Sequence, residues 1–130
     1  MSAKKLTTIL YVEDDLDIQA VAKIALEVVG GLSLKICSSG AEALVAAAAG
    51  FVPDLLLLDV MMPNMDGPTT LSELRKITTT ASTPVIFMTA KVQSAELDFY
   101  TSLGAIGIIA KPFDPMALST QVNALWDKAC

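Results

Sequence analysis

Short apolar runs and longer amphipathic stretches alternate five times along this chain. Leu6 to Val12 is apolar and β-branched and predicts a first strand. From Asp15 to Val29, the apolar positions Ile18, Val21, Ala22, Ala25 and Val29 approach helical spacing. Asp15 and Asp17 favour the start of that helix, with Asp15 as its N-cap, and Gly30-Gly31 ends it. Leu32 to Cys37 alternates like a strand. Ser39 followed by Glu42 has capping-box spacing, at the head of an alanine-rich helix to Ala49 that Gly50 closes. Pro53 precedes a third strand, Asp54 to Leu58, and a loop with Pro63, Asn64 and Gly67 follows. Asp66-Gly67 reads as a turn and helix start, and Pro68 suits the first turn of a helix to about Ile77. Pro84 to Met88 is a fourth strand, Val92 to Leu103 a helix, and Ile106 to Ala110 a fifth strand. Asp114-Pro115 opens a last helix whose Leu118, Val122, Leu125 and Ala129 share one face.

Strands alternating with helices predict a parallel sheet covered on both faces. Right-handed crossovers leave few topologies, and a doubly wound α/β sheet of order 2-1-3-4-5 is the natural one. The repeat fills the chain, so one domain is expected over residues 1–130, with a core of about 6–128 and no output domain. Met1 and the absence of a trailing linker favour a complete chain. In such sheets the site lies beyond the carboxyl ends of the strands. Those ends carry Glu13-Asp14-Asp15, Asp59, Thr89-Ala90 and Lys111-Pro112. Acids brought together in this way cost electrostatic energy unless a cation or a reaction uses them.

Composition narrows the chemistry. The 130 residues suffice for one domain, and 53% hydrophobic against 18% charged suits a packed core. The net charge of −5 argues against nucleic-acid binding by this chain itself. With no histidine, His-based hydrolysis and His-ligated zinc are excluded. Cys37 in a strand and Cys130 at the end predict a buried thiol and a free one, not a disulfide. This suits a reducing cytoplasm, and no apolar run is long enough to span a membrane. The basic start, Met1 to Lys5, runs into a strand and does not read as a signal peptide.

Four motifs, each after a strand and in order, resemble the response-regulator receiver domain of two-component signalling, with its flavodoxin-like, chemotaxis-regulator fold. They are Tyr11-Val12-Glu13-Asp14-Asp15, Asp59 with Met62-Pro63-Asn64-Met65-Asp66-Gly67, Met88-Thr89-Ala90 and Lys111-Pro112-Phe113. The resemblance implies a phosphoryl group on Asp59, taken from the phosphohistidine of a histidine kinase or histidine phosphotransfer protein. It implies Mg²⁺, or Mn²⁺, at Glu13, Asp14, Asp59 and the backbone carbonyl of Met61, with Glu13 acting through water. Thr89 is the expected hydroxyl partner of the phosphoryl group and Lys111 its cation, before a cis Lys111-Pro112 bond. A downstream protein is expected on the face of the fourth helix, fifth strand and fifth helix. The chemistry agrees: Mg²⁺ takes oxygen ligands, and an ionised carboxylate attacks phosphorus without a general base.

The chain departs from the resemblance at Ile108, where an aromatic residue that follows phosphorylation is common. Met61, two residues beyond Asp59, is read as a shield for an acyl phosphate, and Met61, Met62 and Met65 together as loop packing. Two other functions compete with a phosphorylated receiver. One is a binding-only adaptor, which would ordinarily lack one of the acids, the hydroxyl or the lysine. The other is an aspartyl-nucleophile phosphatase, which would carry a second aspartate where Met61 stands. A flavin-binding domain of similar fold is disfavoured, because Glu13-Asp14-Asp15 would repel its phosphate.

Overall fold

The computed structural model describes residues 4–130, so positions 1–3 of the basic start lie outside the described residues. Five parallel strands form one sheet in the order β2-β1-β3-β4-β5. They are β1 (Thr8–Val12), β2 (Ser33–Cys37), β3 (Leu55–Asp59), β4 (Val85–Thr89) and β5 (Ala105–Ala110). The helices are α1 (Leu16–Lys23), α2 (Gly40–Ala48), α3 (Gly67–Leu74), α4 (Ser94–Ser102) and α5 (Leu118–Ala129). This is the doubly wound α/β fold that the alternation predicts.

The central strands β3 and β4 are buried at every position, which their leucine-rich and Val-Ile-Phe-Met sequences require. The edge strands β2 and β5 are only partly covered. Side chains alternate across the pleat and build two cores. Ile9, Tyr11, Leu55, Leu57, Ile86, Met88 and Ile109 pack with residues of α1 and α5. Leu10, Val12, Leu56, Leu58, Val85 and Phe87 pack with residues of α2, α3 and α4.

The caps follow the sequence closely. Asp15 caps α1, its Oδ1 accepting from the amides of Asp17 (2.9 Å) and Ile18 (3.1 Å). Ser39 Oγ accepts from the Glu42 amide at 3.1 Å, while Glu42 reaches back to the Ser38 amide, one residue earlier than in the standard box. Asp66 caps α3 through the Thr69 amide at 2.8 Å. Both thiols are free, Cys37 buried and Cys130 exposed. Among the described residues no helix is long and apolar enough to cross a membrane.

Helix ends and faces differ from the periodicity in four places. After Lys23 the first helix widens into a π-helical segment, Ile24–Val29. That rotates the face of the second half, where Ala25 and Leu26 are buried and Val29 is exposed; ahead of it Ala22 is buried and Val21 exposed. The third helix stops at Leu74, because Ile77 turns extended before a 3₁₀ turn at Thr78–Thr80. The fourth begins at Ser94, after a loop that includes Val92. The last begins at Leu118, because the Asp114 carboxylate accepts from the Met116 amide (2.9 Å) and holds a separate turn. Its buried face is Leu118, Val122 and Trp126, while Ala129 is exposed. Leu125 lies over Gly107 of β5, where a Cβ would meet it at 2.4 Å.

One glycine ties the fold to the strand ends. A Cβ on Gly67 would lie 2.6 Å from the Asp59 carbonyl oxygen and 3.0 Å from Val60 Cα, both backbone atoms that cannot swing away. Gly67→Ala should therefore lower stability by about 1–3 kcal/mol, the range for overpacking. A urea unfolding curve reads this directly, and an unchanged midpoint would count against the close packing of α3 on β3.

Candidate functional site

The register of the sheet assembles the site. Val12 pairs with Leu58, Asp59 with Met88, and Thr89 with Ala110. The chain just past each strand is still tied to its neighbour: the Glu13 amide donates to Cys37 O (3.0 Å), and the Lys111 amide to Thr89 O (2.9 Å). Pleat alternation does the rest. Glu13, Asp59 and Lys111 each stand two residues beyond a member of the α1/α5 core, namely Tyr11, Leu57 and Ile109.

Lys111 Nζ donates to Glu13 Oε1 at 2.9 Å and to Asp59 Oδ1 at 3.0 Å. Glu13 is 1% exposed and Asp59 3%, so the ammonium links two acids that water scarcely reaches. Glu13 Oε2 also accepts from the Asp15 amide at 3.1 Å. Asp14 is exposed at the rim, and oxygens of Glu13, Asp14 and Asp59 lie within 4.8 Å of one another. Carboxylate oxygens so grouped are the donor set that a hard divalent cation prefers. Thr89 is buried, and its Oγ1 accepts from the Lys91 amide at 3.1 Å. The Lys111-Pro112 peptide bond is cis, as the resemblance implies.

Electrostatics follow from burial. Burial pushes the Glu13 carboxyl above its ordinary value, against the pull of Lys111 and the Asp15 amide. Burial raises Asp59 likewise, again opposed by Lys111. For Lys111, burial acts against the ammonium, but the hydrogen bonds to Glu13 and Asp59 outweigh it and raise its pKa. The folded protein therefore holds carboxyl protons at higher pH than the unfolded chain. On that account its stability falls as pH rises from the ordinary carboxylate range through the raised values. The Lys111 contribution is complete at neutral pH and is lost only as pH climbs past the ordinary lysine value and through the raised one.

Sequence-predicted Glu13, Asp14, Asp59, Thr89 and Lys111 thus gather at one edge of the sheet. Met61 behaves differently from its neighbours. Met62 is buried and Met65 packs beside Gly40, whereas the Met61 side chain is 76% exposed. It is not loop packing, because the turn after Val60 carries it outward. Three further residues escaped the sequence reading. Gln19 Nε2 donates to the Glu13 carbonyl and to Ser38 Oγ, bracing the acidic turn. The Tyr11 hydroxyl is buried without a hydrogen-bond partner, and burial and the Glu13 carboxylate both hold its proton on. Tyr100 is buried against Phe87.

Comparison with known families matches residues 9–123 to the response regulator receiver domain. The chain belongs to that family. Among curated proteins it is 37% identical over 117 residues to the transcriptional regulatory protein CpxR of Klebsiella pneumoniae, covering 90% of this chain and 48% of that one. It is 39% identical over 116 residues to the uncharacterized transcriptional regulatory protein YkoG of Bacillus subtilis, covering 89% and 49%. The chain spans about half the length of these curated relatives. Among solved structures, the chemotaxis protein CheY4 of Vibrio cholerae superposes with a TM-score of 0.82 at 26% identity, over 93% of this receiver and 99% of that chain. A receiver domain protein of Methanospirillum hungatei gives 0.79 at 27% identity, over 95% and 96%.

The double ion pair makes a stability prediction. Lys111→Met leaves two buried carboxylates without their cation and should cost about 2 kcal/mol at pH 8. The loss should shrink at pH 5, where the raised carboxyls bind protons. Urea unfolding at both pH values in EDTA measures it, and an equal loss at both would contradict the pairing.

Proposed function

We propose that this receiver accepts a phosphoryl group on Asp59 from the phosphohistidine of a histidine kinase or histidine phosphotransfer protein. The observation that carries the reading is Lys111 held at once against Glu13 and Asp59, with Asp14 beside them. An ionised Asp59 oxygen forms a bond to phosphorus, the phosphorus–nitrogen bond of the donor breaks, and its electron pair stays on the histidine ring. Glu13, Asp14, Asp59 and the Met61 carbonyl would hold Mg²⁺ or Mn²⁺, with Glu13 acting through water. When bound, the ion would supply positive charge against the phosphoryl oxygens. Lys111 neutralises charge on the other side by exchanging one carboxylate for a phosphoryl oxygen, and the Thr89 hydroxyl donates to another.

The output in this reading is a surface change on α4, β5 and α5 that a downstream protein reads, in the cytoplasm. The domain catalyses its own phosphorylation and slow dephosphorylation and acts on no other substrate. The two curated relatives named above are transcriptional regulatory proteins of about twice this length. For these 130 residues, the net charge of −5 supports a protein partner over nucleic acid.

Incubation with acetyl phosphate and Mg²⁺ should add one phosphoryl group by intact mass, with no gain in Asp59→Asn or in EDTA. A phosphomonoester should not be turned over. No gain in the native chain would favour the binding-only adaptor, and multiple turnovers the phosphatase. The exposed Met61 side chain is free to lie over the acyl phosphate and keep water away. Met61→Asn should then hasten dephosphorylation about fivefold, equivalent to ~1 kcal/mol of barrier. An unchanged decay rate would remove that role.

A further inference from the structure

The sheet ends at β2, where β1 pairs with one side of the strand and the other side is an edge. Successive residues of a strand turn their main-chain groups to opposite edges. The Ser33 amide donates to Thr7 O (2.8 Å), and Cys37 O accepts from the Glu13 amide (3.0 Å), so Ser33, Lys35 and Cys37 face β1. Leu34 and Ile36 therefore turn their amides and carbonyls outward, and Ser38 follows in the same phase just past the strand. Such an edge is a template for pairing with another chain. Its flanks are apolar. Ile36 shares one groove with Val45 of α2 and another with Leu16 of α1, and those two side chains are 70% and 68% exposed.

Two carboxylates occupy this edge. Glu27, from the π-helical segment after α1, accepts from the Leu34 amide through Oε2 at 3.3 Å. Glu42 of α2 accepts from the Ser38 amide through Oε1 at 3.0 Å. They come from opposite faces of the sheet and meet the same row of outward amides. Ahead of the strand, the Leu32 amide donates to Leu26 O (2.9 Å). Among the described residues, Ile36 holds the one outward amide of β2 without a partner.

The two occupied amides are the ones a second copy would need. An antiparallel, two-fold pairing centred on Ile36 bonds Ile36 to its own counterpart through both amide and carbonyl. The next bonded positions along that ladder set Leu34 against Ser38 of the second copy, and Ser38 against its Leu34. With Glu27 and Glu42 in place the ladder stops at Ile36, and one bonded pair does not offset the cost of association.

We propose that Glu27 and Glu42 close the β2 edge to a second copy of this chain, by holding the Leu34 and Ser38 amides that an antiparallel β2–β2 ladder requires. They act as hydrogen-bond acceptors, not through their contribution to the net negative charge.

Sedimentation velocity of Glu27→Ala/Glu42→Ala tests this. Its self-association should tighten about tenfold or more over the native chain, on the scale of one to two hydrogen bonds. Glu27→Gln/Glu42→Gln keeps an acceptor oxygen at both positions but loses both charges, and should associate no more than the native chain. Ile36→Pro, added to the alanine pair, removes the last outward donor without touching a bond to β1, and should abolish the gain. Equal tightening in the glutamine pair would make the effect one of charge and overturn the proposal. No tightening in the alanine pair, or a gain that survives Ile36→Pro, would overturn it too. If circular dichroism shows the alanine pair unfolded, amide exchange in the native chain decides. There the Leu34 and Ser38 amides should exchange about tenfold slower than that of Ile36. Equal rates at all three would overturn the proposal.

Discussion

The Lys111 ammonium, 2.9 Å from Glu13 and 3.0 Å from Asp59, is the interaction on which the strand-end chemistry depends. Two carboxylates that are 1% and 3% exposed would otherwise repel one another where the dielectric is low. Their partner comes from 98 and 52 residues away, so only the completed sheet provides it. β4 stands between β3 and β5, and Lys111 reaches across its end because its own amide is fixed to Thr89 O. A one-residue slip of β5 would turn Lys111 to the other face and strand both acids. The same pairing explains how these acids can gather at all: one ammonium offsets part of their charge.

Much of this was readable from residue order because the relevant signals are local. Asp15, Ser39 and Asp66 each stand just before their helix and cap it as their side-chain chemistry suggests. The apolar runs of β3 and β4 admit few readings besides buried parallel strands. Glu13, Asp59, Thr89 and Lys111 each follow an apolar run, and the strand order then places them together. What periodicity missed depends on contacts between distant residues. Trp126 continues the Leu118–Val122 face, and its indole donates to the Lys4 carbonyl (2.8 Å), a partner 122 residues away that no helical wheel contains. Val29 turns outward where the first helix widens, a change of pitch without a composition signal. Gln19 joins the site through the fold of the acidic turn, and nothing in its immediate neighbours marks it.

The pleat divides the site between two faces of the sheet. Glu13, Asp59 and Lys111 continue the row of Tyr11, Leu57 and Ile109, on the side of α1 and α5. Thr89 continues the row of Phe87, on the side of α2, α3 and α4, where Tyr100 and Ile108 also lie. The charged groups therefore lie on one face, and the Thr89 hydroxyl belongs to the other. Thr89 sits at the end of β4, beside β3, and bridges the two.

Which part of the molecule can respond follows from how firmly each element is held. β3 and β4 are buried at every position, and shifting either would open both cores, so Asp59 and Thr89 are carried on the rigid centre. α4 lies at the other extreme, with one buried residue, no side-chain cap, and a neighbour in the partly covered edge strand β5. Elements with few buried contacts open at the lowest free energy. A change of one hydrogen bond, about 1 kcal/mol, is negligible against the centre of the sheet but a large fraction of what holds such a helix. A small perturbation can thus leave the strands in place and still alter α4.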